Sequence, residues 1–276
     1  MKHSLFLILF TSLVISTQAE LITADVQSVN VNTKTFDLIN INGDHDYSEP
    51  FTVRVGDGDL MVDYEGKTIV GEISKSEGKD WLQYIFPSDA EQEKLLNAVN
   101  RQLRADTATR QRRQYRKRGD YGINFAMINE RAEYVQFNQF KGKWIMMNFI
   151  FTRCRIPEMC PAQTSRMVDM QRMAADQGID NFHQISVTFD PEYDTPGILT
   201  QYAEVKGADT ETFSFLTGKH EVMLDVLKQY GVIAFESENI IDHTVTTLLF
   251  DPSGKIVYRK DNTNWLVEEF IKRIKK

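Results

Sequence analysis

One run of residues constrains this chain more than any other feature. Trp144-Ile145-Met146-Met147-Asn148-Phe149-Ile150-Phe151 is almost continuously apolar, as expected of a strand buried on both faces of a sheet. Just beyond it, Cys154-Arg155-Ile156-Pro157-Glu158-Met159-Cys160-Pro161 holds both cysteines of the chain. Residues 162–177 then read as a helix, with Met167, Met170 and Met173 toward one face. Pro161 suits a first helical position, where its missing N–H has no intrahelical partner anyway. The pattern predicts Cys160 at or beside the N-cap, where the helix dipole and free amides favour a thiolate. Arg153 and Arg155 would favour the anion further. Thiolates are soft ligands that select Cu(I), or zinc, over hard cations. A strand–Cys–loop–Cys–helix arrangement therefore predicts a reactive or metal-binding pair. A purely structural disulfide is the weaker reading, because so short a loop adds little to a chain with apolar material for a real core.

The surrounding pattern sets the architecture. Residues 183–189 predict a strand, 195–205 a helix, 213–216 a short strand and 221–230 a helix. Residues 244–250 and 255–259 flank the hairpin turn Asp251-Pro252-Ser253-Gly254, and residues 265–274 close with a helix. This order is that of a thioredoxin-like α/β layer fold. Upstream, period-two alternation at Val29-x-Val31, Phe51-x-Val53-x-Val55 and Leu60-x-Val62-x-Tyr64 is punctuated by turns at residues 42–44, 56–58 and 65–67. About five short strands of this kind predict a small antiparallel barrel or sandwich.

Between the two halves, residues 88–103 predict a helix opened by the capping box Ser88-x-x-Glu91. Residues 101–118 are basic, with Arg101, Arg104, Arg110, Arg112, Arg113, Arg116, Lys117 and Arg118. We expect a solvated connector there, the alternative being a dock for an acidic partner or an anionic membrane surface. The expected division is a signal peptide at 1–19, a small β domain at 20–87, a helical, basic linker at 88–120 and a thioredoxin-like domain at 121–276.

The first residues read as an export signal: Lys2 and His3, an apolar run over 5–15, then Thr17-Gln18-Ala19. The run is short for a membrane span, which makes an uncleaved anchor the weaker reading. The expected location is periplasmic or otherwise extracytoplasmic, where close cysteines tend to oxidise unless a metal or a reductant intervenes. A formal charge of −7 gives no reason to expect nucleic acid as a partner.

Four segments, in order, carry a family resemblance: Asn124-Phe125; Asn148-Phe149-Ile150-Phe151-Thr152-Arg153-Cys154 running to Cys160-Pro161; Ser186-Val187-Thr188-Phe189-Asp190-Pro191-Glu192-Tyr193-Asp194-Thr195-Pro196; and Asp242-His243-Thr244 leading to Asp251-Pro252-Ser253-Gly254. Over residues 120–276 the sequence resembles the SCO/SenC family, thioredoxin-fold copper chaperones for cytochrome c oxidase assembly. The resemblance implies that Cys154, Cys160 and His243 bind copper, Cu(I) or Cu(II), one ion per chain. Its implied partners are the copper subunit of a respiratory oxidase and a thioredoxin-like reductant. This sequence departs from the family motif by placing five residues between the cysteines where three are usual, Pro157 among them. Met159 is an accessory soft ligand in one reading and a loop hydrophobe in the favoured one. His183 and His220 are expected to be structural, and Asp190 to Pro196 a rigid turn and helix cap.

Three functions follow from these residues. The leading one is a copper-binding assembly factor that delivers copper to an oxidase subunit or keeps that subunit's thiols reduced, a chaperone more than an enzyme. The second is a thiol–disulfide oxidoreductase or redox sensor, with Cys154 and Cys160 as catalytic residues and no copper. The third is a non-catalytic adaptor acting through the β domain and the basic stretch. A peroxidase of the peroxiredoxin type is a weaker reading, because no Pro-x-x-x-Thr-x-x-Cys precedes either cysteine.

Overall fold

The computed structural model describes residues 19–111, 114–237 and 240–274, the side chains of residues 235–243 excepted. The expected signal peptide, apart from Ala19, lies outside the described residues, as do Arg112 and Arg113.

Five strands, β1 (Glu20–Asn30), β2 (Thr35–Asn42), β3 (Phe51–Arg54), β4 (Thr68–Ser76) and β5 (Lys79–Pro87), close into a barrel in the order β1-β2-β3-β5-β4. Successive strand residues face opposite ways, so Ile22, Ala24, Val26, Phe36, Leu38, Ile69, Ile73 and Leu82 fill the interior together. Two details differ from the sequence pattern. Val31 is 65% exposed, because the inward set of β1 is Ile22, Ala24 and Val26 and the register with β2 shifts between Val26 and Ser28. Leu60 to Tyr64 is not a strand: Asp59–Met61 forms a 3-10 turn, and Val62 and Tyr64 still reach the barrel core. Apolar spacing of two is therefore also met by an irregular segment that buries alternate side chains.

Helix α1 (Ala90–Thr109) is capped by Asp89, not Ser88; the Asp89 carboxylate accepts from the Glu91 and Gln92 amides at 2.9 and 3.0 Å. It buries Leu96, Asn100, Leu103 and Thr107, spaced along one helical stripe. Leu103 joins the core of the C-terminal half. The stretch expected as a solvated connector thus packs one stripe of α1 while its other faces stay exposed. Arg104 pairs with Asp225 at 2.6 Å, while Arg110 and Arg116 converge on Asp106 at 2.9 and 3.2 Å. The partners of these arginines are thus Asp106, inside the run itself, and Asp225, far along the chain. Arg101, Lys117 and Arg118 remain exposed.

The C-terminal half comprises β6 (Ala126–Asn129), β7 (Tyr134–Gln136), β8 (Trp144–Ile150), α2 (Cys160–Asp176), β9 (Phe182–Thr188), α3 (Pro196–Lys206), β10 (Phe213–Thr217), α4 (His220–Tyr230), β11 (Ala234–Ser237), β12 (Ile240–His243), β13 (Thr247–Phe250), β14 (Ile256–Lys260) and α5 (Val267–Ile271). One seven-stranded sheet runs β14-β13-β8-β9-β10-β6-β7, and β11 pairs separately with β12. The apolar run forms β8, buried at every position, parallel to β9 and antiparallel to β13. Helix α2 packs on β8 and β9 and against α3 and α5. This is a thioredoxin-like layer arrangement.

The barrel meets this body through a close backbone approach. A Cβ added at Gly58 would lie 2.2 Å from Gly197 O, and one at Gly197 would lie 2.3 Å from Asp59 Oδ1 and 2.8 Å from Asp59 N. Only residues without side chains let the 3-10 turn sit against the first turn of α3. Asp59 is sealed in this seat: Oδ1 has no hydrogen-bond partner among the described residues. Burial pushes its carboxyl up to about 7, against the opposing pull of the Gly56 amide.

Gly197→Ala should overpack the seat, costing about 1–3 kcal/mol and lowering the calorimetric midpoint by several degrees. Asp59 carries a raised folded-state pKa, so its contribution is fully present near pH 4 and is lost as pH rises through about 7. Asp59→Asn should therefore narrow the stability difference between pH 5 and pH 8, and its advantage over wild type should grow toward pH 8. Denaturant unfolding at the two pH values measures this.

Candidate dithiol site

The site forms where β8 ends. Phe151 packs its ring 5.0 Å from that of Phe189 beyond β9, closing the core beneath the loop. The next two residues are gripped by one acidic turn. Asp194, fully buried, accepts from the Thr152 amide at 3.1 Å and from the Thr152 and Thr188 hydroxyls. Asp190 Oδ2 accepts from Arg153 Nε and Nη2 at 2.9 and 2.6 Å, and the guanidinium lies 4.3 Å over the Tyr193 ring. The turn is closed by the Asp194 amide donating to Asp190 O at 2.9 Å, and Thr195 caps α3 through the Ile198 amide. Burial raises the Asp194 carboxyl to about 6, opposed by its hydrogen bonds from Thr152 and Thr188.

Helix α2 starts at Cys160 itself, with Met159 in the N-cap position and offering no side-chain cap. The longer spacing is taken up by a turn before the helix: Met159 N donates to Ile156 O, Ala162 N to Pro157 O and Gln163 N to Met159 O, at 3.1, 3.1 and 2.9 Å. The extra residues therefore do not separate the thiols. The Cys160 thiol hydrogen-bonds to the Cys154 sulfur. No disulfide joins them.

The two thiols are not equivalent. Cys154 is half-buried in the loop, whereas Cys160 is 1% exposed. The hydrogen bond to Cys154 and then burial drive the Cys160 thiol far above its ordinary value, outweighing the amides of Phe151 and Cys160 that favour the anion. This corrects the expectation that the helix start would make Cys160 the thiolate. A second negative charge beside the Cys154 sulfur, away from water, outweighs the helix end. Arg153 is also committed to Asp190.

The third residue implied by the resemblance, His243, ends β12, and its side chain lies outside the described residues. Its backbone pairs with Ala234, and Ala234 lines the same cavity as Arg153. Among the described residues no group of three His, Cys, Asp or Glu side chains forms a metal site. His183 is buried, stacked 4.2 Å from Phe140 and bonded to Ser214 Oγ at 2.9 Å. Burial lowers its pKa to about 3, so it stays neutral. His220 begins α4 with its ring 3.7 Å from the Glu192 carboxylate. Met159 is half-buried in the loop. Sequence reasoning read Asp190 and Asp194 as a turn. It missed their grip on Thr152 and Arg153, for which two acids flanking a Pro-Glu-Tyr insert were the available signal.

The SCO1/SenC family model matches residues 113–276. This chain belongs to the SCO1/SenC family. It is 30% identical to Protein sco1 of Schizosaccharomyces pombe over 148 residues, 51% of this chain and 54% of that protein. It is 31% identical to the SCO1 protein homolog of Bacillus subtilis over 137 residues, 48% of this chain and 69% of that protein. The chain thus spans about half the length of the S. pombe relative. Among solved structures it is similar to BsSco, described as a Sco-family cytochrome c oxidase assembly protein with a disulfide switch. That likeness has a TM-score of 0.51 at 26% identity and covers 58% of this chain and 95% of that one. As a SCO1/SenC member, the chain carries an N-terminal barrel that lies before the matched residues.

The unequal thiols give a direct expectation. Alkylation of the reduced native protein at pH 8 should modify Cys154 at least about tenfold faster than Cys160, since each unit of raised pKa removes about tenfold of thiolate. Peptide mapping of partly alkylated protein reads this ratio. Equal rates in native protein would contradict the arrangement.

Proposed function

We propose that this chain is an extracytoplasmic copper-binding thiol protein that serves the assembly of a respiratory oxidase, delivering copper to its copper subunit or keeping that subunit's thiols reduced. The observation that carries this reading is the hydrogen-bonded Cys154–Cys160 pair. Two sulfurs this close, one of them buried, resist a second negative charge unless a cation lies between them. A soft monovalent cation answers that need: Cu(I) would replace the proton that Cys160 holds, and its uptake would release protons. Copper is cargo here, and Cys154, the more accessible sulfur, is the one from which it would pass on. His243 is assigned as the third ligand on its family position and on its strand's place beside the cavity. It would matter most for Cu(II), which prefers nitrogen donors and higher coordination.

Disulfide exchange at the same pair is the second reading. It is favoured by the half-exposed Cys154 backed by a buried Cys160, the arrangement of an attacking and a resolving thiol, and by the disulfide switch described for BsSco. The two readings share the cysteines and differ in the histidine.

Anaerobic titration of the reduced protein should load one Cu(I) per chain. Cys154→Ser and Cys160→Ser should each abolish tight Cu(I) binding. His243→Ala should keep much of the Cu(I) affinity, lose Cu(II), and still form the disulfide. Copper affinity unchanged across all three variants would remove the chaperone reading and leave a dithiol protein.

A further inference from the structure

A cavity of about 480 Å³ opens at Arg153, the residue that precedes Cys154 in the chain. Arg153, Phe189, Tyr193 and Leu224 line it from the thioredoxin-like body, and Tyr84 lines it from the barrel. Tyr84 reaches it through an anomaly in β5. The register with β4 advances from Glu72↔Gln83 to Val70↔Phe86, so β5 carries one residue more than its partner over that step. Gln83 and Tyr84 both face outward, and only then does Ile85 return to the barrel core. Tyr84 is the bulged residue, held at φ 53°. Bulges of this kind re-aim side chains, and a non-glycine left-handed residue persists only where its surroundings enforce it. Gly71 stands opposite the bulge; a Cβ there would lie 2.9 Å from Leu82 Cδ1 and 3.1 Å from Gln83 O. Tyr84 is 45% exposed, and Leu224 is 47% exposed.

We propose that Tyr84 forms one wall of a docking cleft beside Cys154 that receives an extended, apolar, neutral-to-basic segment of the client polypeptide whose cysteine reacts there. The proposal rests on the dithiol reading above and adds the partner's chemistry. The occupant follows from position: a client sulfur that reaches Cys154 brings its own chain along this wall. Its character follows from the lining. The floor is Phe189, Met223 and Leu227, with Tyr84 and Tyr193 as aromatic walls. Charge points the same way, since Arg153 is already neutralised by Asp190 while the exposed Glu192 faces His220 at 3.7 Å. An acidic segment would meet carboxylates without a free cation among the described lining residues.

In exchange, the Cys154 thiolate attacks one sulfur of a client disulfide. The new S–S bond forms as the client's second sulfur leaves with its electron pair as thiolate. Cys160 then releases its proton to solvent and attacks the Cys154 sulfur, expelling the client's first sulfur as thiolate. Two electrons pass to the client, and the chain is left with a Cys154–Cys160 disulfide.

The test uses the reduced full chain and three substrates. These are the small disulfide dithionitrobenzoate, a short Leu/Phe/Lys peptide whose single cysteine is capped with thionitrobenzoate, and the same peptide with Asp in place of Lys. Wild type should react with the basic peptide faster than with the acidic one. Tyr84→Gly removes the ring and relieves the left-handed strain, and Leu224→Ser changes the opposite wall at an exposed position. Each should slow the basic peptide by at least about fivefold, as truncation of an interface anchor does, and leave the small-disulfide rate unchanged. Tyr84→Gly should unfold no earlier than wild type, which separates lost docking from lost folding. If wild type fails to react with the small disulfide, the dithiol reading falls and the cleft with it. If that reaction is normal but both peptides react alike, or neither variant slows the basic peptide, the cleft proposal alone is overturned. A wild-type chain that dimerises through this face, with Tyr84→Gly monomeric and no peptide preference, overturns it in favour of a second copy as the occupant.

Discussion

The grip of one acidic turn on two consecutive residues is the constraint on which the site depends. Asp194 holds Thr152 and Asp190 holds Arg153, so the chain leaving β8 is fixed before it reaches Cys154. The hydrogen bonds to Asp194 are made in a fully buried place, where an unmet carboxylate is expensive and a met one specifies a single geometry. Without that grip, the exposed segment from Arg155 to Glu158 would hold Cys154 only through its own short turn. With it, Cys154 stays within reach of Cys160, whose position is set by the start of α2.

That fixed geometry also explains why the two thiols differ. Cys160 is buried, and the neighbouring Cys154 sulfur together with that burial holds its thiol protonated. A helix start lowers a thiol's pKa when the thiol can see water, but here the neighbouring sulfur and burial dominate. The same closeness that suppresses a second thiolate makes the pair receptive to a soft cation or to a disulfide bond, since either removes the repulsion. On the proposed reading, copper loading and oxidation would be alternative fates of one electrostatic conflict.

Much of this was legible in the sequence, for identifiable reasons. The apolar run at Trp144 to Phe151 could only be a strand covered on both faces, and a proline after the second cysteine marked the helix start. The strands and helices after it were placed within a few residues, because each repeats one period over its whole length. The short strands β6, β7, β11 and β12 were not read, since three or four residues carry too little periodicity. The true helix cap, Asp89, was masked by the neighbouring Ser88 that completes a capping box on paper. The pairing of the basic stretch was hidden because its acids are Asp106, inside the run, and Asp225, more than a hundred residues away. The protonation of Cys160 was not readable, because it depends on a distance between side chains and not on either one's place along the chain.

The segment from Asp190 to Gly197 joins the two halves of the molecule. At its start, Asp190 and Asp194 fix the dithiol loop; at its end, Gly197 seats the barrel against α3 with Asp59 sealed beneath. Eight residues thus set both the position of Cys154 and the position of the barrel relative to it. A side chain at Gly58 or Gly197 would force the barrel away from α3, and with it the bulge that presents Tyr84 to the cleft. The barrel's strained strand then has a physical rationale that its own core does not supply. Ile85 could continue the inward alternation only because Tyr84 was inserted before it, and the inserted ring lines a cavity that it shares with Arg153, Phe189 and Leu224 of the other half of the chain.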